Sequence, residues 1–455
     1  MSLPITVTFM LANWIVKGLQ DGTLERVGGV IRHVDTKQVV SWLRDQGSNN
    51  SPTNLLNLVS SAANIVASGA NAAVTGKGLA DVSQRLDGVE QTSSDNIAVL
   101  WANLVATVAN AAISGKGLAD ANGRLGNIEN QLGELGQNLQ LTQGILQLTT
   151  AASVLNLGVS VMSFAVIAQR LKELEERLKK AEELLNKVNR KIDLSFYANF
   201  RAALDLAVNA FTMNKHENRR NSALQAINRF LEAEHIYTEY ADIEIEQKSQ
   251  IADEYLLTLS LAYLAEARCY LELEEHDTAL RRFQEGARIV HSRIHKYVNL
   301  LLTSNPAVYL HPQFKGQIDL QRLTRIYQWI NPVLDENAVF ELQRENLFNI
   351  GKDSQKWLDS LPAAILTRVE VEGGWFGPSN EDLEKEAYKR LPQVFEVMES
   401  MIETNNRFES YQTELQAISK LGISFHEWLQ LKPSTENKLD SAEFMFIIPS
   451  QALDL

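Results

Sequence analysis

The 455-residue sequence predicts a mainly α fold, with long helical hairpins and coiled coil, a helical C-terminal half and a small α+β module at the N-terminus. Three observations predict it. An apolar segment is duplicated, apolar residues recur at alternating steps of three and four, and the second half carries charged amphipathic helix patterns. The formal charge of -13 argues against nucleic acid as a partner, because phosphate contacts need clustered Lys and Arg. A single cysteine, Cys269, rules out an intrachain disulfide and a thiolate metal cluster, and it fits a reducing compartment.

The pattern divides the chain at 1–45, 53–195, 196–305 and 306–455. In the first region Leu3 to Val16 is apolar, but no positive residue precedes it and no small-residue cleavage pattern follows. It is therefore expected to fold rather than to be a signal peptide, and the protein is expected in the cytoplasm, with peripheral or conditional membrane contact. Thr6 to Met10 reads as a strand and Leu11 to Leu19 as a short helix. Thr23 to Val34 reads as a strand turning at Gly28-Gly29, followed by Val39 to Arg44, with Trp14 and Trp42 in the core. Gln46 to Thr53, rich in Gly, Ser and Asn and containing Pro52, reads as a linker.

The second region holds the duplication. ANIVASGANAAVTGKGLADVSQRLDGVE at 63–90 aligns without a gap with ANLVATVANAAISGKGLADANGRLGNIE at 102–129, with 17 identities in 28 positions. A third, degenerate copy is expected from the apolar run Ile145 to Ala168, read as a helix, which ends in Arg170-Leu171. Heptads follow each apolar run. In the second copy Leu118, Ala121, Leu125, Ile128, Leu132, Leu135 and Leu139 keep the rhythm. In the third, Leu171, Leu174, Leu178, Leu185, Val188 and Ile192 predict a coiled-coil seam whose partner lies in this chain or in another copy.

The apolar runs contain no Asp, Glu, Lys or Arg over Gln46 to Gly76, Ile97 to Gly115 and Leu135 to Gln169. A surface helix would be charged on one face, so these runs are expected to be buried in a bundle or to meet lipid. Ile145 to Ala168 has the roughly 20 residues that a membrane crossing needs, but its Gln, Thr, Asn and Ser content suits conditional insertion better. Leu55, Ala63, Val66, Ala67, Leu104, Val105, Ala106, Val154, Leu157, Phe164 and Ile167 are the expected membrane or self-assembly positions. Gly76, Gly78, Gly115 and Gly117 of the two Gly-Lys-Gly steps are expected hinges, where an apolar stretch hands over to a heptad stretch. They do not form a phosphate loop, which needs GxxxxGK before Ser or Thr.

In plan, an apolar helical head joined to heptad helices over 55–192 resembles the α-helical pore-forming toxins. That resemblance implies a membrane-associating, self-assembling protein of the pore-forming or membrane-remodelling type, and a homo-oligomer. The alternative is a soluble oligomeric coiled-coil scaffold or adaptor.

Beyond Ser195 the chain breaks into shorter charged helices. Tyr263, Ala267, Tyr270, Ala279, Phe283 and Gly286, within 255–290, resemble one tetratricopeptide (TPR) repeat, with Glu266 at the usual leucine position and His291 at the closing proline. A half-match precedes it at Ala226, Phe230 and Ala233, after a polar turn at Lys215 to Arg220. The resemblance implies a TPR-like bundle that binds a peptide or protein partner; the alternative is a purely structural hairpin. Pro306, Pro312 and Pro332 interrupt the helices that follow, and Arg368 to Pro378 reads as a turn or a short strand pair. Ser379 and Asp382 form a capping box opening a helix from about 380 to 420, which Pro392 is expected to break or kink. Phe444 to Ile448 reads as a strand.

No constellation predicts catalysis, and no cofactor or metal is expected. Cys269 sits in an apolar helix seam as a small filler. His291 and His295 share a helix face without the zincin glutamate or a third ligand. Glu232 and His235 lack the duplicate motif of a di-iron bundle, and Glu239, Asp242, Glu244 and Glu246 lack calcium-loop spacing.

Overall fold

The computed structural model describes residues 5–45, 139–150, 164–185, 195–343, 354–361, 379–431 and 444–447, apart from a few positions within these ranges. The chain divides into two compact units, one of residues 1–46 with 141–455 and one of 47–140. The mainly helical class predicted by the sequence is what the described residues adopt.

The N-terminal residues form β1 (Ile5–Met10), α1 (Asn13–Gln20), β2 (Leu24–Val27), β3 (Val30–His33) and β4 (Val39–Asp45). Gly28 turns the β2–β3 hairpin at a φ of 54°, a left-handed value that glycine adopts without a Cβ clash. Trp42 is buried, edge-on to Trp428 at 5.3 Å. Trp14, expected in the core, is instead 50% exposed, because α1 buries Ile15, Val16 and Leu19 on its other face.

Two strands overturn a helical expectation. Leu139–Thr142 is β5 and Ile145–Thr150 is β6, in a sheet of order β1-β6-β5, with β1 antiparallel to β6 from Ile5↔Thr150 to Met10↔Ile145. The segment LQLTQGILQLTT alternates leucine with Gln or Thr at period two, on either side of a Gln-Gly step. That is a hairpin pattern, and it displaces both the heptad assignment of Leu139 and the single apolar helix over 145–168. The tail strand β7 (Phe444–Ile447) pairs antiparallel with β4, completing a second sheet of order β2-β3-β4-β7.

The helical body runs α2 (Phe164–Leu185), α3 (Ser195–Thr212), α4 (His216–Glu246), α5 (Ala252–Glu272) and α6 (His276–Leu302). The stretch Lys215 to Arg220 is not a turn, since α4 already begins at His216. Alanines and aromatics alternate across the α3–α4 hairpin. Phe200 meets Phe230 edge-on at 5.7 Å and Tyr197 meets Tyr237 at 5.4 Å, with Ala203, Ala226 and Ala233 letting the backbones approach. Helix α5 is the centre of the body. Every residue from Ala252 to Ala267 is buried, because α2, α3, α4, α6 and the later helix at Asn380–Leu421 pack around it.

After α6 come a 3₁₀ turn at Pro306–Leu310, α7 (Leu320–Ile330), α8 (Ser354–Asp359), α9 (Asn380–Leu421) and α10 (Phe425–Gln430). The predicted capping box is present, with Ser379 accepting from the Asp382 amide and Asp382 reaching back to the Ser379 amide. Helix α9 runs through Pro392 without breaking, held there by buried Leu391 and Phe395, and Phe395 is edge-on to Tyr309. Its C-terminus is closed by Gly422 in the left-handed region.

Helix α9 also anchors the N-terminal hairpin. Buried Glu403 accepts from Arg26 at 3.1 Å and from Arg407 at 2.9 Å, and Arg32 reaches Glu409 at 2.6 Å. Gly28 lies so close to α9 that a Cβ there would sit 2.6 Å from the carbonyl oxygen of Asn406.

Candidate functional site

Two neighbourhoods of the helical body concentrate charge inside apolar packing. The first is the seat of α2. Ile167, Leu171, Leu174 and Leu178 recur at steps of three and four, are all buried, and belong to a helix packed on α3 and α5 of the same chain. The partner of this stretch of the predicted seam is thus intramolecular. Ile167, expected at a membrane or assembly face, lies in the same buried row.

Ion pairs flank that row. Arg177 bridges Asp253 at 3.3 Å and Glu254 at 2.6 Å, both buried in the first turn of α5, while Glu175 takes Arg201 at 2.9 Å and Lys179 at 2.8 Å. Burial pushes the Asp253 and Glu254 carboxyls up; their mutual repulsion adds to the rise at Glu254, and Arg177 opposes it at both.

The second neighbourhood is the junction of α4, α5 and α6. Arg282 of α6 donates to Glu266 of α5 at 2.9 Å, to Glu234 of α4 at 2.6 Å and to Glu285 at 2.6 Å. Glu266 is fully buried and Glu234 is 3% exposed. Burial and the neighbouring Glu266 carboxyl push Glu234 up to about 10, with Arg282 pulling the other way. Tyr263 lies over Gly286 across the α5–α6 hairpin, and burial raises its hydroxyl. The sequence did carry a signal for this site. Glu266 interrupts an otherwise apolar helix face, and a fully buried glutamate needs a cation, which the pattern alone did not identify as Arg282.

Other candidates disperse. Cys269 is buried, and burial raises its thiol. His291 and His295 face Trp329 at 5.5 and 5.8 Å, His291 contacting Asn405 and His295 contacting Asn299. Glu232 pairs with Arg229 and Asp242 with Arg293. Among the described residues no group of three or more His, Cys, Asp or Glu could hold a metal ion, and no helix is long and apolar enough to cross a membrane.

Leu55, Ala63, Val66, Ala67, Leu104, Val105, Ala106, Val154, Leu157, Val188 and Ile192 lie outside the described residues, as do Gly76, Gly78, Gly115, Gly117 and the segment 368–378. Phe164 and Leu185 are the first and last residues of α2. Comparison with protein-family models, with curated proteins and with solved structures finds no match to the chain.

Proposed function

We propose that this chain is a membrane-associating, self-assembling helical protein of non-catalytic type, in which the duplicated 47–140 unit meets lipid or other copies and the helical body carries it. The supporting observation is the division of labour between two kinds of apolar surface. The α2 row is covered by α3 and α5, whereas the charge-free runs ending at Gly76 and Gly115 belong to a unit of their own. In chain order that unit follows β4 and ends within β5. The TPR-like α5–α6 hairpin is the place proposed for a protein partner. With α5 enclosed, such a partner would meet the outward face of α6, where Arg281, Arg288 and Lys296 are exposed.

Flotation of the purified full chain with zwitterionic and anionic vesicles, paired with dye leakage, tests the reading. Co-flotation that rises with vesicle concentration supports it. Absence of binding to every composition, together with an elongated oligomer in light scattering, would replace it with the soluble scaffold reading.

A further inference from the structure

We infer that the junction of α4, α5 and α6 is a buried proton-binding site, in which Glu234 holds a proton and its hydroxyl donates a hydrogen bond to Glu266 while Arg282 balances the charge that remains. The argument begins with geometry. Glu234 Oε2 and Glu266 Oε1 are both taken by the Arg282 guanidinium, at 2.6 and 2.9 Å, so the two carboxyls are gathered on one fork. Their other oxygens, Glu234 Oε1 and Glu266 Oε2, are buried and have no donor from the protein, and the Glu266 carboxyl acts on Glu234 both by charge and by hydrogen bonding. Two carboxylates cannot hydrogen-bond without a proton between them, and like charges this close, out of water, cannot both stay ionised.

Charge counting leads to the same place. The groups acting on Glu234 are Glu266 of α5 and Arg282 and Glu285 of α6, and the charge of the pair in turn reaches Tyr263 and Tyr270 of α5. Glu285 is 42% exposed and takes the third side of Arg282, so a second full negative charge at Glu234 would have no cation of its own. Protonating Glu234 removes that charge and supplies the missing donor in one step.

The sign follows from linkage. A carboxyl whose proton is held more tightly in the folded chain than in the unfolded one stabilises the fold fully below its unfolded value and loses that contribution steadily as pH rises from there to its folded value. The joint between α4 and the α5–α6 hairpin is thereby tied to proton activity: tighter in acid, looser in alkali.

The test is Glu234→Gln, whose amide donates to Glu266 without a titrating proton. Thermal unfolding of the full chain is followed from about pH 6 to about pH 9, with the exposed neighbour Glu232→Gln as control. The wild-type midpoint should fall relative to Glu234→Gln by roughly 4 °C or more over that range, and infrared spectra at neutral pH should show a protonated-carboxyl band that is lost in the variant. Parallel pH profiles, or the absence of that band, overturn the inference. A midpoint that rises with added calcium or magnesium in wild type but not in Glu234→Gln also overturns it, because the occupant would then be a cation. Should Glu234→Gln fail to fold, the wild-type band and its titration decide.

Discussion

The ring of Tyr263 fills the space that a side chain on residue 286 would need: a Cβ on Gly286 would lie 2.5 Å from Tyr263 Cδ1 and Cγ. This contact sets how closely α5 and α6 approach. Gly286→Ala should therefore destabilise the chain by about 1–3 kcal/mol through overpacking, despite alanine's better helix propensity. Urea unfolding followed by circular dichroism checks it. A stabilised variant would mean that the hairpin relaxes freely.

The Glu403 clamp makes a second prediction, with the opposite pH sign to the junction. Burial raises the Glu403 carboxyl, but Arg26 and Arg407 outweigh it and hold it below the ordinary value. Its contribution is thus present above the unfolded carboxylate value and fades as pH falls through the folded one. Arg26→Ala should cost about 3–5 kcal/mol near neutral pH, since a buried charge loses a partner, and the deficit should shrink in acid. Denaturant midpoints at two pH values measure both.

The α2 row tests whether its seam is intramolecular. Leu171→Ala and Leu174→Ala should each lower stability by about 2–5 kcal/mol through cavity formation. Neither should change the molar mass seen by light scattering. A drop in mass would assign the row to contact between copies.

Cys269 offers a reporter at the centre of the body. Its buried thiol, raised by desolvation, should stay unreactive toward an aromatic disulfide reagent in native buffer and react fully in denaturant. Rapid native labelling would show that α5 opens.

Some of the structure was legible in local pattern. Helix α9 could be read from its capping box and its buried spacing at Leu391, Met398, Phe408 and Leu415. The β2–β3 hairpin could be read from Gly28-Gly29, and the α5–α6 hairpin from its aromatic and small residues. Over Leu139 to Thr150 short apolar runs suit either period, and only the Gln-Gly step breaks the tie in favour of strands. The outward position of Trp14 is not legible locally, because a helix of eight residues is too short for its spacing to mark one inward side.

The sequence by itself determined the helical class, the duplication, the charge-free runs and the near-absence of cysteine chemistry, since these depend on neighbours a few residues apart. Only the tertiary structure decided that the α2 seam packs on its own chain, that β7 closes the sheet begun by β2 to β4, and that Arg282 joins Glu234 to Glu266. The physical reason is range. Helix and turn propensities act within one or two turns of backbone, whereas a buried charge finds its partner across 48 residues of chain, where only the packed core sets the distance.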